Sequence, residues 1–145
     1  MRTGAAWLRW HDPSMTSLRP RPRFLIADDV HAIGRLVGEL LREGGADVVG
    51  PAMDGAQALR LFHETSPDGV VLDIAMPELN GFELLRAIRA SEQGRRCLLI
   101  VLTSHAEPSM REQAYADGAD HFLHKSSEFE HLLQIVPDFI RRQPA

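Results

Sequence analysis

Four stretches of this sequence place polar or charged side chains directly after short, largely apolar runs. Asp28 and Asp29 follow FLIA, Asp73 follows VVL, Thr103 follows CLLIVL and Lys125 follows HFLH. Three carboxylates held close together repel one another and raise each other's pKa unless a divalent cation neutralises them. Because no His or Cys ligands stand beside them, the set favours a hard, partly hydrated ion, and Mg²⁺ is the expected cofactor.

The remaining two side chains indicate what such a metal site would do. The hydroxyl of Thr103 and the ammonium of Lys125 can hold an anion beside the ion, which is the arrangement that phosphoryl transfer needs. A carboxylate can itself act as the nucleophile. Lys125 is the only lysine among sixteen basic residues, which favours a site that needs a compact ammonium.

The elements that must position these residues alternate regularly along the chain. Short, largely apolar runs predict strands over 24–27, 46–52, 70–72, 97–102 and 121–124. Helical spacing of apolar residues and turn signals predict helices over 33–41, 54–63, 82–90, 109–117 and 127–140.

Local signals mark the ends of these helices. Gly44-Gly45 is typical of a helix end, the pairs Asp54 with Gln57 and Ser127 with Glu130 predict capping boxes, and Pro137 predicts a kink in the last helix.

This alternation predicts an α/β fold of the flavodoxin-like, doubly wound (βα)5 type. Five parallel strands joined by right-handed crossovers, in the order 2-1-3-4-5, would place the strands that end in Asp28 and Asp73 side by side. A chain of 145 residues is long enough for one ordinary core. We expect one domain over residues 23–143, preceded by a flexible basic tail over residues 1–22.

Charge and apolar patterning exclude several classes of partner. Residues 1–23 hold five arginines against Asp12, so the net charge of −4 becomes about −8 for the rest of the chain, which argues against nucleic acid. No apolar run approaches the roughly 18 residues of a membrane span, and no signal peptide is visible. With Cys97 as the only cysteine, a buried thiol in a reducing cytoplasm is expected.

In these motifs the sequence resembles the receiver domain of bacterial two-component response regulators. The resemblance covers about residues 23–142 and rests on Asp28-Asp29, on Asp73 in an Asp-x-x-Met-Pro-x-x-x-Gly context, on Thr103 followed by a small residue, and on Lys125 with an aromatic three positions before it. It implies that Asp73 accepts a phosphoryl group from a phosphohistidine of a sensor histidine kinase or a histidine phosphotransfer protein.

The resemblance also implies a metal-ligand set. Asp29, Asp73 and the backbone carbonyl of Ala75 would bind Mg²⁺ directly, and Asp28 would act through water. Ala75 offers no polar side chain over the site, and His105 is unusual two residues after the threonine position, so the lifetime of the phosphorylated state stays open.

A further implication concerns how the signal leaves the site. Lys125 would contact the phosphoryl group, while Thr103 and Phe122 would move together on activation. The face formed by the fourth helix, the fifth strand and the fifth helix would then bind a downstream protein or support phosphorylation-dependent dimerisation of a monomer. His121 and His124 lie three apart on a strand and point to opposite sides, so a shared metal ion there is not expected.

We expect a stand-alone receiver, because only 20 residues follow Lys125 and the final helix uses most of them. Its output would be protein binding or onward phosphotransfer, with self-phosphorylation and self-dephosphorylation as its only chemistry. Two alternatives stay open. A phosphorylation-independent scaffold would keep its partner affinity when Asp73 is replaced. A small Mg²⁺-dependent phosphatase with an aspartate nucleophile would want a second acid where this chain has Ala75.

Overall fold

Five parallel strands form one sheet in the order β2-β1-β3-β4-β5 in the computed structural model, which describes residues 21–143. The strands are β1 (Arg23–Ala27), β2 (Asp47–Ala52), β3 (Gly69–Leu72), β4 (Leu98–Thr103) and β5 (His121–His124). The helices are α1 (His31–Glu43), α2 (Gly55–Thr65), α3 (Gly81–Ala90), α4 (Pro108–Ala116) and α5 (Leu132–Arg142). The predicted flavodoxin-like fold and strand order are confirmed. The predicted element bounds differ by one or two residues, except that the last helix begins at Leu132 and not at residue 127.

The sheet is covered on both faces, which explains the unbroken apolar runs of its central strands. Successive residues of a strand point to opposite sides. Leu25 and Val70 pack with one hydrophobic cluster that includes residues of α2, α3 and α4, whereas Ile26 and Val71 pack with a second that includes residues of α1 and α5. All four residues of β3 are buried. The central strands are therefore a rigid base for whatever their carboxyl ends carry.

The predicted end of α1 forms as expected, and the predicted start of α2 forms in part. Helix α1 ends at Glu43 with Gly44 as its C-cap, and Gly45 takes a positive φ of 104°. At the start of α2 the Asp54 side chain accepts a hydrogen bond from the backbone N–H of Gln57. The side chain of Gln57 accepts from the backbone N–H of Met53 and not from that of Asp54, so only half of the predicted capping box is present.

The predicted capping box between Ser127 and Glu130 is wrong. A 3-10 turn over Phe129–His131 precedes α5, and neither this turn nor α5 has a side-chain cap. The side chain of Glu128 instead accepts from the backbone N–H of His124, because side chains near a turn compete for its backbone donors. Helix α5 continues through Pro137.

The two residues that precede β1 contact the domain. A guanidinium nitrogen of Arg21 donates to the carbonyls of Arg42 and Ala46 at 3.1 and 3.0 Å, and the N–H of Asp47 donates to the carbonyl of Pro22 at 2.8 Å. Residues 1–20 of the predicted tail lie outside the described part of the chain. No helix within residues 21–143 is long and apolar enough to cross a membrane.

Candidate functional site

Three carboxylates meet at the carboxyl edge of the sheet. Asp28 and Asp29 follow β1 and Asp73 follows β3, and these strands are paired in a register that sets Ala27 opposite Leu72. One oxygen from each of the three side chains lies within 4.8 Å of the others. Asp28 and Asp73 are buried, with 3% and 4% of their surface exposed, and Asp29 is exposed. The predicted clustering of the three acids is therefore present.

The ammonium of Lys125 lies between the two buried acids. Its Nζ is 2.8 Å from Oδ2 of Asp73 and 3.0 Å from Oδ2 of Asp28, and only 12% of its side chain is exposed. Lys125 follows β5, and its backbone N–H donates to the carbonyl of Thr103 at 2.9 Å. The fifth strand thus delivers a cation to carboxylates on the first and third strands.

Burial and pairing act against each other in this cluster. Burial raises the pKa of Asp28, although hydrogen bonds from the Val30 N–H and from Lys125 lower it. Burial is the largest single influence on the pKa of Lys125 and lowers it, but hydrogen bonds and charge attraction to Asp73 and Asp28 together outweigh burial, so the pKa is raised. One ammonium beside three ionised carboxylates leaves a formal excess of two negative charges. A divalent cation bound by oxygen ligands would match both that charge and the chemistry of the donor set.

The loop after β3 fixes the orientation of Asp73. The backbone N–H of Ala75 donates to Oδ1 of Asp73 at 3.0 Å, and the N–H of Gly81 donates to the carbonyl of Ile74 at 3.1 Å. A Cβ on Gly81 would lie 2.3 Å from the Cα of Ile74, so only glycine allows this approach. Asn80 opens α3 with a capping box that sequence reasoning did not identify. The loop is held at both ends.

Thr103 and Phe122 lie on the neighbouring strands. Thr103 ends β4, is fully buried, and its Oγ1 accepts from the N–H of His105 at 3.1 Å. The O–H of this threonine remains a potential donor, because a hydroxyl can donate and accept at once. Phe122 on β5 is 2% exposed, and His105 is exposed.

Two residues near Phe122 were missed by sequence reasoning. The guanidinium carbon of Arg111, on α4, lies 4.8 Å from the centroid of the Phe122 ring. Another atom of the same side chain, Nη2, is 3.6 Å from Oε1 of Glu128. Nothing in the sequence distinguishes Arg111, because α4 is polar and has no clear apolar periodicity from which its packing could be predicted. Glu128 lies in the turn after β5, and its sequence context does not separate it from Glu130.

The family model described as response regulator receiver domain matches residues 24–137. The chain belongs to this family. Among curated relatives of the receiver, the chemotaxis protein CheY of Bacillus subtilis is 32% identical over 79% of this chain and 93% of that protein. A probable transcriptional regulatory protein NarL of Mycobacterium tuberculosis is 36% identical over 86% of this chain. The chain spans only 57% of the length of that relative.

Solved receiver domains have the same fold. The receiver domain of NarL from Mycobacterium tuberculosis superimposes with a TM-score of 0.75 at 31% identity, over 86% of this chain and 99% of that one. The receiver domain of the sensor histidine kinase PA1611 from Pseudomonas aeruginosa, with a magnesium ion coordinated in its active site cleft, gives 0.73 at 30% identity, over 83% and 98%.

Membership of this family answers the coarse question of function. The chain is a receiver domain of the two-component type, which acts in phosphorelay signal transduction and is not a member of an ordinary enzyme family. Its acidic triad is compatible with Mg²⁺. Neither the scaffold nor the phosphatase alternative is favoured by these relatives.

Proposed function

We propose that Asp73 is the phosphoacceptor of this receiver and that a phosphohistidine of a sensor histidine kinase or histidine phosphotransfer protein is the donor. The observation that carries this proposal is the ammonium of Lys125, held 2.8 Å from Oδ2 of Asp73. In the reaction an oxygen of Asp73 forms a bond to phosphorus while the bond from phosphorus to the imidazole nitrogen breaks. The electron pair of that bond leaves with the nitrogen.

The acidic cluster around Asp73 fits a magnesium ion. Asp29, Asp73 and the backbone carbonyl of Ala75 would hold it directly, and Asp28 through water. Bound Mg²⁺ would draw off charge from the phosphoryl oxygens. The protein's own contribution is that Lys125 neutralises one oxygen and the Thr103 O–H donates to another, while the Ala75 N–H orients Asp73.

The output of the proposed switch is binding of another protein or onward phosphotransfer. The surface formed by α4, β5 and α5 would change on phosphorylation and would bind a downstream partner or a second, phosphorylated copy. The receiver would comprise residues 23–143 and residues 1–22 would be a tail. A reducing cytoplasm suits its buried cysteine. Self-dephosphorylation would set the lifetime of the phosphorylated state, with Ala75 and His105 as the residues that flank the phosphoryl group.

Labelling by a small phosphodonor tests this function. With acetyl phosphate and Mg²⁺, intact-mass spectrometry should show one added phosphoryl group, as the bond from phosphorus to the acetyl oxygen breaks and acetate leaves. Asp73→Asn and EDTA should each abolish the label, whereas Asp138→Asn on the α5 surface should leave it unchanged. Labelling of the Asp73→Asn protein at the wild-type level would refute the assignment. Repeated turnover of a phosphomonoester would indicate a phosphatase instead.

A further inference from the structure

A single arginine joins helix α4 to the end of the sheet that carries Lys125. Nη1 of Arg111 donates to the carbonyl of Phe122 at 3.2 Å, and the guanidinium carbon lies 4.8 Å from the centroid of the Phe122 ring. Nη2 is 3.6 Å from Oε1 of Glu128. One planar side chain thus contacts the strand backbone, the aromatic ring and the turn that follows the strand, which an ammonium could not do from one position.

Glu128 closes that turn around Lys125. Its Oε1 accepts from the backbone N–H of His124 at 2.9 Å, and its own N–H donates to the carbonyl of His124 at 3.0 Å. His124 is the residue directly before Lys125, whose N–H is bonded to the carbonyl of Thr103 at 2.9 Å. The backbone from which the lysine side chain starts is therefore fixed by β4 on one side and by Glu128 on the other.

The contribution of these contacts is geometric more than coulombic. The side chains of Arg111 and Glu128 are 40% and 30% exposed, and ion pairs at such exposure contribute little net attraction. Lysine, in contrast, has a long flexible side chain with four carbons. The place of its ammonium between Asp28 and Asp73 depends on where the turn holds its Cα, because a shorter or longer reach costs the contact with one of the two acids.

We propose that Arg111 and Glu128 are positioning residues for Lys125, which keep its ammonium aligned with Asp73 for phosphoryl transfer. This inference rests on the proposed function of Asp73. Misplacement of a catalytic group by about 1 Å can cost roughly 10²-fold in rate. The attraction between Lys125 and the two carboxylates remains when Arg111 is removed, so we expect a smaller loss, roughly three- to thirtyfold.

The test compares initial rates of Asp73 labelling by acetyl phosphate at saturating Mg²⁺. Arg111→Met should lower the rate at saturating donor, Arg111→Lys should recover part of it, and Glu128→Gln, which keeps an acceptor for the His124 N–H, should give a smaller loss than Glu128→Ala. The matched control is Arg86→Met. Arg86 also forms one ion pair at α4, at 2.9 Å to Asp117 at the end of that helix, but it does not reach β5.

A double-mutant cycle separates positioning from general destabilisation. If Arg111 acts through Lys125, Arg111→Met should lower the rate in the wild-type background and have no effect in a Lys125→Met background. The ammonium nitrogen of Lys125, observed by NMR, should shift in Arg111→Met and not in Arg86→Met.

Three outcomes are distinct. If wild type is not labelled on Asp73, the proposed function fails and the positioning role with it. If wild type is labelled and Arg111→Met is labelled equally fast, the positioning role alone is refuted. An equal rate loss in both Lys125 backgrounds would also refute it, because Arg111 would then act by a route that does not include the lysine.

Discussion

The single ammonium of Lys125 pairs with two buried carboxylates, so the stability of the folded protein depends strongly on this one residue. The side chains of Asp28 and Asp73 are each only 5% exposed, so little water reaches them. Removing one partner of a buried ion pair leaves an uncompensated charge, which typically costs several kcal/mol. The lysine therefore stabilises the fold as well as supplying a positive charge to the proposed reaction.

We predict that Lys125→Met lowers the free energy of unfolding by about 3 kcal/mol at pH 7 in the absence of metal. Uptake of a proton by Asp28, whose pKa burial already raises, limits the loss. Mg²⁺ should recover part of it by binding only the folded state. Urea denaturation with and without Mg²⁺ measures both effects, with Arg141→Met as a surface control. Unchanged stability without metal would show that the two acids tolerate each other unaided.

Cys97 gives a second residue-scale prediction, through pH. The thiol is 4% exposed and donates to the carbonyl of Pro67 at 3.6 Å, and burial raises its pKa from 9.0 to about 12. Above pH 9 the unfolded thiol loses its proton while the folded thiol keeps it, so the unfolded state is favoured and stability falls as pH rises, by at most ~1.4 kcal/mol per pH unit.

The comparison that isolates this thiol is wild type against Cys97→Ala. Between pH 8 and pH 10 wild type should lose about 1.4 kcal/mol more than Cys97→Ala, because other groups, including Lys125, titrate alike in both. Iodoacetamide should label Cys97 only at the rate of unfolding. Parallel pH profiles for the two proteins, or rapid labelling of the folded protein, would show an accessible thiol.

At the scale of elements, the strands were predictable and some of their connections were not. Burial on both faces demands an unbroken apolar run. The short length of that run and the turn residues that follow it favour a strand over a buried helix, so β3 and Asp73 at its end could be located from sequence. The meeting of Asp28 with Asp73 followed from strand order alone. The turn after β5 was mispredicted, because Glu128 and Glu130 are alike in sequence and only the turn geometry lets Glu128 reach the N–H of His124.

Contacts made by polar helices were the part that sequence could not give. An apolar stripe predicts which side of a helix faces the sheet, but α4 buries only Ala114. Where Arg111 lies depends on how α4 packs beside β5, which no local pattern encodes. The candidate site could therefore be predicted as a set of strand-end residues, without the residues that hold one of them in place.

Element β4 carries a prediction about signal transmission. Phosphorylation adds about −1.5 to −2 charges and three acceptor oxygens, and the buried O–H at the end of β4 can donate to one of them. We predict that Thr103→Ala still accepts a phosphoryl group on Asp73 but loses most of the resulting change in α4, β5 and α5. Coupling between two such states is typically about 1 to 3 kcal/mol, which is large enough to measure.

Beryllofluoride provides the measurement. Backbone NMR shifts with and without it should be large around Phe122 in wild type and small in Thr103→Ala. Ser104→Ala is the matched control, because Ser104 is an adjacent, exposed hydroxyl and its loss should change nothing. Thr103→Ala should also lower the free energy of unfolding by about 1 kcal/mol, since Oγ1 of Thr103 accepts a hydrogen bond from the His105 N–H. Full-sized shifts in Thr103→Ala would mean that the signal takes another route.

At the scale of the whole molecule, charge and packing divide the chain at one place. The body from residue 24 onward carries about −8, whereas residues 1–23 are basic. Within residues 21–143, both hydrophobic clusters begin with β1, at Phe24 and Leu25. Arg21 belongs to the basic segment but contacts the acidic body. Its side chain donates hydrogen bonds to the carbonyls of Arg42, near the end of α1, and of Ala46, just before β2, and its Nε lies 3.3 Å from Oδ1 of Asp47.

The boundary yields a prediction from two truncations. Removing residues 1–20 should leave the free energy of unfolding and the labelling of Asp73 unchanged within about 0.5 kcal/mol, because residues from Phe24 onward already supply two large buried clusters in the part of the chain that the structure describes. Removing residues 1–22 should lower the free energy of unfolding by about 1 kcal/mol more, because this truncation also removes the two hydrogen bonds and the largely exposed ion pair of Arg21. Arg21→Met in the full chain should reproduce most of that second step.

Urea denaturation compares the two truncated proteins and Arg21→Met with wild type. A loss of several kcal/mol on removing residues 1–20 would mean that Trp7 or Trp10 packs against the domain and that the domain begins earlier than Arg21.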